Sequence, residues 1–157
     1  PIIFTAENAE ISMYDESLLN DIPEGIKIIK SPIWEPFSLY KRLTGKEDEK
    51  INPGFLQKKK GNSFLQKFSM WIRGNFFIPD AKRFWLRPSV KKLNSYLKYN
   101  KVDAIVSTGP PHTTHLIARK VAKKYNIPWL ADFRDPWTNI DFYHQLKLCH
   151  LADKKHR

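Results

Sequence analysis

The sequence predicts an α/β protein whose mostly parallel sheet is flanked by helices, and three observations lead to this prediction. Short apolar runs suited to strands alternate with amphipathic helical patterns along the chain. The run VDAIVST, residues 102–108, has no polar alternation, which is typical of a parallel strand buried on both faces. A Gly-Pro turn, a helical pattern and a second apolar run follow it, which predicts a βαβ unit.

The first third of the chain contains two predicted strands and short helical segments. Residues 1–5 form an apolar run, and residues 26–30 alternate and are rich in β-branched side chains, so each run predicts a strand. A single helical turn is expected over 16–19, and a short helix over 36–44 begins at a proline and ends before a glycine. Residues 46–63 are charged and interrupted by proline and glycine, which predicts an exposed loop.

The rest of the chain is mainly helical around the βαβ unit. Residues 64–77 carry an apolar stripe of helical spacing, and residues 80–100 predict a helix with a break or restart at Pro88. The helix over 112–126 should bury its apolar residues and expose its lysines. A last helix is expected from Thr138, a candidate N-cap.

Composition and charge limit the classes of function. The 157 residues suffice for one domain, and 27 Lys+Arg against 16 Asp+Glu give a net charge of +11, which favours nucleic acid, an anionic membrane face or phosphorylated ligands. No apolar stretch is long enough to span a membrane. The single Cys149 excludes an internal disulfide and a cysteine-based zinc site. Because the chain starts without Met and ends in a helical pattern, we expect a fragment of a longer protein.

Two loops follow the predicted parallel strands of the βαβ unit. STGPPH, residues 107–112, follows the strand at 103–106, and DFRDPW, residues 132–137, follows the strand at 128–131. Ligands of open parallel sheets bind beyond the carboxyl ends of the strands. If the two strands are neighbours, the two loops meet at one edge and form a ligand site.

The first loop has a functional and a structural interpretation. Gly109 permits a tight turn, and the first free N–H groups of the next helix, those of His112, Thr113 and Thr114, are suited to an anion. The alternative is a plain turn punctuated by prolines. His112 and His115 have a helical metal spacing, but no third ligand lies near them, so no metal site is expected. His112 is either a base or hydrogen-bonding group at the lip of the site, or a solvent-facing histidine.

The second loop also leaves two interpretations open. In the structural one, Asp135 shapes the turn before Pro136, Arg134 pairs with Asp132, and Trp137 packs down. In the functional one, a carboxylate accepts a proton or a hydroxyl hydrogen bond while Arg134 holds a negative group. The position at the end of a strand favours function for at least one of these charges.

Aromatic and basic residues alternate densely over 64–87. This composition is typical of a helix at a membrane interface, with Trp71, Arg73, Lys82 and Arg83 as the contact residues. Interleaved basic and aromatic residues also bind single-stranded nucleic acid. The most common alternative is an aromatic stripe that is buried in the protein's own core.

Several of these motifs together resemble a known family. SPIWEPFSLYKRLTGK, WIRGNFFIPDAKRFWLRPSVKKL and above all STGPPHTTHLIA…IPWLADFRDPW resemble the amino-terminal domain of bacterial family 4 (group 1) glycosyltransferases of the Bacteroidetes type. The resemblance implies one partial Rossmann-like, acceptor-side domain over 1–157, the N-terminal half of a GT-B fold. Its first strand would precede residue 1, and the C-terminal donor-binding domain would follow residue 157.

The resemblance also implies a function. The intact enzyme would move a sugar from a nucleotide-sugar donor to a sugar or lipid-linked acceptor of the cell envelope or a polysaccharide. It would need no cofactor or metal, and it would work in the cytoplasm or at the inner face of the plasma membrane. The isolated fragment would be inactive. The alternatives are a nucleic-acid-binding module and a non-catalytic interaction domain, although nucleic acid is not the expected partner.

The expected site residues are chosen from the family resemblance and from their positions in the two loops. We expect two catalytic residues, His112 and Asp135. The expected substrate-binding residues are Thr108, Gly109, Thr113, Asp132 and Arg134.

Overall fold

The computed structural model describes residues 1–9, 15–34, 71–72, 74–140 and 143–157. The chain divides into two compact units, Pro1–Lys60 and Gly61–Arg157. The predicted helix at 36–44, the predicted loop at 46–63 and most of the predicted helix at 64–77 lie outside the described residues. The described residues confirm an α/β protein with short parallel strands and helices, and a single partial domain over 1–157 stays a prediction.

The first unit contains two parallel strands. Strand β1, Ile2–Ala6, pairs with β2, Lys27–Ser31, in a register that joins Ile2 to Lys27. A 3-10 helix, Glu16–Asp21, lies between them in sequence. It begins after Asp15, whose carboxylate accepts a hydrogen bond from the N–H of Ser17 at 3.0 Å. Both predicted strands and the predicted helical turn are therefore confirmed.

The second unit contains the βαβ unit. Helix α1, Leu86–Leu97, precedes strand β3, Ile105–Gly109. Helix α2, Thr113–Tyr125, then leads to β4, Trp129–Phe133, which pairs directly and in parallel with β3. α2 ends at Asn126, which adopts the left-handed conformation (φ 53°) that asparagine tolerates at a helix end.

Helix α2 covers one face of this sheet. It buries Ile117, Ala118 and Val121, while its arginine and lysines are exposed, as predicted. On the other face, Val106 and Leu130 lie opposite each other and remain 67% and 64% exposed. The expectation that the 102–108 strand is buried on both faces is therefore wrong, because within the described residues a helix covers only one side.

Helix α1 begins at the point where the sequence predicts a break or restart. A 3-10 turn, Arg83–Trp85, leads into α1, and Pro88 is the third residue of the helix. The N–H groups of a first turn have no partner within the helix, so a proline is tolerated there. α1 packs against α2, and the hydroxyl of Tyr125 donates to the carbonyl of Asn94 at 2.9 Å.

The C-terminal segment is broken into two short helices. A 3-10 helix, Tyr143–Leu146, is followed by α3, His150–His156. The predicted helix from Thr138 is wrong, because residues 138–140 are not helical and Lys147 adopts a left-handed φ of 48°. The side chain of Asn75 accepts from the N–H of Cys149 at 2.7 Å and so ties the start of α3 to the helical residues 74–76.

An aspartate from another part of the unit caps helix α2. The carboxylate of Asp80 accepts from the N–H of Thr113 at 2.8 Å and from the Thr113 hydroxyl at 2.7 Å. It also accepts from the N–H of Lys82 at 2.8 Å. A carboxylate at this end satisfies free N–H groups and interacts favourably with the helix dipole.

Asp80→Ala is expected to lower the free energy of unfolding by about 2 kcal/mol, because it removes the cap and leaves the buried Thr113 hydroxyl without its partner. Urea denaturation measures this. The matched control is Asp103→Ala, at an exposed aspartate in the loop before β3. Equal losses in the two variants would show that the Asp80 contact does not stabilise α2.

Candidate functional site

The two predicted site loops meet at one edge of the sheet. β3 and β4 are neighbours, and Gly109 lies opposite Phe133 at their carboxyl ends. The N–H of Arg134 donates to the carbonyl of Gly109 at 3.1 Å, and the Arg134 guanidinium donates to the carbonyl of Pro110 at 3.3 Å. The sequence-based expectation that residues 107–112 and 132–137 adjoin is confirmed.

The strand register divides the predicted site residues between two faces. Thr108 lies opposite Asp132 on the face that α2 does not cover, and its hydroxyl donates to the Asp132 carboxylate at 2.8 Å. Both side chains are exposed. Because side chains alternate along a strand, Gly109 and Phe133 lie on the α2 side instead. The edge therefore has a polar pair on one face and a helix end on the other.

The start of α2 differs from the predicted anion site. Thr113 is fully buried, and Asp80 accepts from both its N–H and its hydroxyl. The N–H of Thr114 donates to the carbonyl of Pro111 at 3.1 Å. Two of the three predicted anion donors, the N–H groups of Thr113 and Thr114, therefore have partners within the chain, and a substrate contact of Thr113 stays a prediction that this bonding does not favour.

Four aromatic rings pack together at this edge, and we call them the ring cluster: His112, His115, Phe133 and Trp137. His112 stacks on Trp137 with ring centroids 4.9 Å apart and planes inclined by 16°. His115 packs against Phe133 at 4.2 Å. The two histidine rings are stacked at 5.9 Å. His112 therefore belongs to a packed cluster and is not simply a solvent-facing histidine.

Gly109 permits this packing because it has no side chain. A Cβ at this position would lie 2.6 Å from Nε2 of His115 and 3.2 Å from Nδ1 of His112. The first distance is shorter than any ordinary van der Waals contact. The glycine therefore shapes the site through the space it leaves, whereas the sequence predicts it as a turn residue and a substrate contact.

His115 is the most buried member of the ring cluster. It is 2% exposed, and its Nδ1 lies 2.8 Å from the hydroxyl of Ser107. The indole N–H of Trp129 donates to the same hydroxyl at 2.9 Å. Burial lowers the pKa of His115, and the neighbouring His112 lowers it further. His115 is therefore held as a neutral imidazole joined to both strands.

The charges of the second loop do not pair as the structural interpretation predicts. Arg134 is exposed and donates to the Pro110 carbonyl, whereas Asp132 accepts from Thr108. Asp135 is also exposed, and its carboxylate has no hydrogen-bond partner among the described residues. All three charged groups of this loop are exposed, and Asp135 is the one without a hydrogen-bond partner among the described residues.

The predicted membrane-contact residues lie in the segment before α1. Trp71 packs edge-on against Phe76 at 5.9 Å and is 38% exposed. The guanidinium of Arg83 donates to the Phe76 carbonyl and lies 5.6 Å above the ring of Phe84. Lys82 is half-buried. Arg73, the remaining predicted contact, lies outside the described residues.

Sequence reasoning missed three residues that build this edge: Asp80, Ser107 and Trp129. Asp80 carries a local signal, since an aspartate that bonds to the N–H two residues later is typical of a turn. Nothing local points to its contact with Thr113, 33 residues away. Ser107 opens the predicted 107–112 loop but is not among the predicted site residues, and Trp129 lies within an apolar run and gives no polar signal of its own.

Among the described residues, no group of three or more His, Cys, Asp or Glu side chains is arranged to hold a metal ion. None of the described helices is long and apolar enough to cross a membrane. Comparison of the chain with protein-family models, curated proteins and solved structures returns no match.

The buried, neutral His115 predicts a stability that depends on pH. Its pKa is lowered in the folded state, so below the usual histidine pKa of about 6.5 the unfolded state binds the proton more readily. The contribution of His115 to stability is therefore complete above about pH 6.5 and is lost as the pH falls through the range below it.

Thermal unfolding between pH 7.5 and 5 tests this sign. Relative to the wild type, His115→Asn is expected to lose part of the fall in Tm below pH 6.5, since its side chain does not take up the proton. His144→Asn, at an exposed histidine, is the control and keeps the wild-type slope. If Tm depends on pH in His115→Asn as it does in the wild type, this result would contradict the lowered pKa of His115.

Proposed function

We propose that this chain is the acceptor-binding portion of a glycosyltransferase that moves a sugar from a nucleotide-sugar donor to a cell-envelope or polysaccharide acceptor. The observation that carries the proposal is the meeting of the 107–112 and 132–137 loops at the carboxyl edge of the parallel strands β3 and β4. Ligands of parallel α/β sheets bind at this edge. The resemblance of these two loops to the glycosyltransferase family supports the same class and a Rossmann-like, GT-B architecture.

The accessible side chains fit a hydroxylated ligand. Asp135 has an exposed carboxylate without a partner in the described structure, and carboxylates accept hydrogen bonds from sugar hydroxyls. In the proposed role, Asp135 accepts the proton or hydrogen bond of the acceptor hydroxyl, and His112 borders the same site. Arg134 offers a planar cation suited to an acidic or phosphorylated acceptor.

Two other polar side chains extend this proposed site. Thr108 and Asp132 are exposed and already joined by a 2.8 Å hydrogen bond on the open face of the sheet. A carboxylate has further acceptor capacity after one such bond, so Asp132 retains a lone pair for a ligand hydroxyl. Thr113 is left out of the proposed substrate contacts because Asp80 occupies both its groups.

Sugar transfer by the full-length protein tests the proposal. Asp135→Asn is expected to reduce kcat/KM by about 100-fold, as for loss of a general base. Asp103→Asn, outside the two loops, should leave transfer unchanged. The 157-residue chain alone should not transfer sugar, because the donor site is expected elsewhere. Wild-type activity in Asp135→Asn, or activity of the chain alone, would contradict the proposal.

The proposed enzyme associates with an anionic membrane surface, and the charge distribution supports this. Residues 81–131 contain eleven Lys or Arg and a single acidic residue, Asp103. Ten of the eleven are exposed. Each cation near an anionic bilayer contributes about 1 kcal/mol. The cations on helices α1 and α2 are Arg87, Lys91, Lys92, Arg119, Lys120, Lys123 and Lys124.

These helices support membrane contact better than Lys82 and Arg83 do. The Arg83 guanidinium already donates to a carbonyl of its own chain, and Lys82 is half-buried. The cations of α2, in contrast, stand on the exposed side of a helix whose other side is buried. We therefore propose the outer sides of α1 and α2 as the main anionic-surface contact.

Co-sedimentation with vesicles that contain phosphatidylserine tests this contact at low and at physiological salt. Lys123→Glu/Lys124→Glu is expected to weaken binding at least tenfold, whereas Lys154→Glu/Lys155→Glu, with the same change of charge on α3, should retain most of it. Equal effects would mean that only net charge matters. Tighter, steeply salt-dependent binding to a single-stranded oligonucleotide would favour the nucleic-acid alternative instead.

A further inference from the structure

Helices α1 and α2 end side by side. The carbonyl of Asn94, in the last turn of α1, accepts a hydrogen bond from the N–H of Lys98 at 3.2 Å and another from the hydroxyl of Tyr125 at 2.9 Å. Tyr125 is the last residue of α2. One backbone oxygen therefore joins the two helix ends, and the residues around these ends lie on one surface.

This surface, which we call the helix-end surface, consists of Lys98, Tyr99, Lys101, Lys123 and Lys124. All five side chains are exposed. The four lysines stand against one acidic residue within 81–131, Asp103. Lysines near a helix C-terminus interact favourably with the helix dipole, which gives the cations a local explanation. This explanation does not extend to the aromatic ring among them.

Tyr99 is 79% exposed, more than any other large hydrophobic side chain that the described residues expose. Its ring has the ammonium group of Lys98 5.2 Å from its centroid. The other tyrosines at this end, Tyr96 and Tyr125, are half-buried. The junction of α1 with α2 therefore uses the Tyr125 side chain and leaves Tyr99 in solvent, surrounded by lysines.

We propose that the helix-end surface enters the interface of an anionic bilayer, with the ring of Tyr99 at the level of the headgroups. A tyrosine combines an apolar ring with a polar hydroxyl, and this side chain is enriched where bilayer and water meet. Lysines contribute their cations to the anionic headgroups and their alkyl stems to the apolar boundary. This inference rests on the membrane association proposed above, to which it adds an anchor residue and an orientation.

The orientation follows from the course of α2. The helix begins beside the 107–112 loop and ends at the helix-end surface, and its 13 residues span about 20 Å. Insertion of Tyr99 brings the C-terminal end of α2 closest to the bilayer. The two loops of the candidate site then lie farther from the headgroups than the lysines of the last turn do.

A bilayer fits this surface better than single-stranded nucleic acid does. Proteins that bind single strands offer several aromatic side chains on which successive bases stack. Of the three tyrosines at this end, Tyr99 alone is exposed. One amphipathic ring within a group of cations matches the chemistry of an anionic membrane interface.

Co-sedimentation of the 157-residue chain with phosphatidylserine vesicles tests the anchor. Tyr99→Ser is expected to weaken binding about fivefold, because the vesicle then buries less apolar area. Tyr99→Trp keeps an amphipathic ring and should bind at least as well as the wild type. The matched control is Leu151→Ser, at a leucine of α3 that is 71% exposed, and it should bind as the wild type does. Wild-type binding by Tyr99→Ser would overturn the proposal.

Paired charge reversals test the orientation. Lys98→Glu/Lys101→Glu changes the helix-end surface and is expected to weaken binding about tenfold. Arg87→Glu/Lys91→Glu makes the same change of charge in the first half of α1 and should weaken binding less. Equal losses in the two variants would overturn the orientation.

A fluorescent label at residue 99 reports insertion directly. Cys149 is the only cysteine, so Tyr99→Cys in a Cys149→Ser background carries one acrylodan group. Its emission should shift to the blue on addition of phosphatidylserine vesicles, whereas the same label on Leu151→Cys in that background should not shift. Absence of a shift at residue 99 would overturn the proposal.

The wild-type chain distinguishes failure of this inference from failure of the proposed membrane association. Vesicle binding by the wild type that is indifferent to Tyr99 overturns the anchor and leaves the association standing. No vesicle binding by the wild type at low salt overturns both. Weaker binding of Tyr99→Ser to a single-stranded oligonucleotide, with unchanged binding to vesicles, would overturn the anchor and assign the surface to nucleic acid.

Discussion

Gly109 has no side chain, and the arrangement of the site edge depends on this. It ends β3 directly beneath the first turn of α2, and two imidazole nitrogens lie where a Cβ would meet them. The close approach lets His115 pack on Phe133 of the neighbouring strand. His112 then lies beside it and stacks on Trp137 in the second loop. A larger residue here would separate the helix from the sheet, so the positions of both loops follow from one small residue.

Asp80 decides what the start of α2 can do. The free N–H groups and dipole of a helix start attract an anion, and here the chain supplies the anion itself. A carboxylate fixed by its own turn loses little entropy on binding, and it bonds both groups of Thr113. An external phosphate would have to displace it. The proposed ligand site therefore rests on side chains of the second loop, Arg134 and Asp135, and not on the N–H groups of Thr113 and Thr114, which already have partners.

Features with a local cause could be predicted from the sequence. The strands β3 and β4 and helix α2 follow from apolar runs and helical periodicity, and the meeting of the two loops follows from the general behaviour of parallel strands. The open face of β3 could not be predicted, because an apolar run does not reveal which elements cover it. The Asp80–Thr113 bond and the Ser107–His115 bond join residues distant in sequence, and the end of the helical pattern at Lys147 depends on one backbone angle.

The two ends of helix α2 differ in electrostatic character. Its first turn is neutralised by Asp80 and lies against a ring cluster whose buried histidine is held neutral. Its last turn exposes Lys123 and Lys124, and its 13 residues span about 20 Å, two Debye lengths at physiological salt. An anion bound at the cationic end is therefore screened from the ring cluster. The net charge of +11 bears on the cationic end of α2 and gives no information about the ring cluster, whose contacts are ring packing and hydrogen bonds.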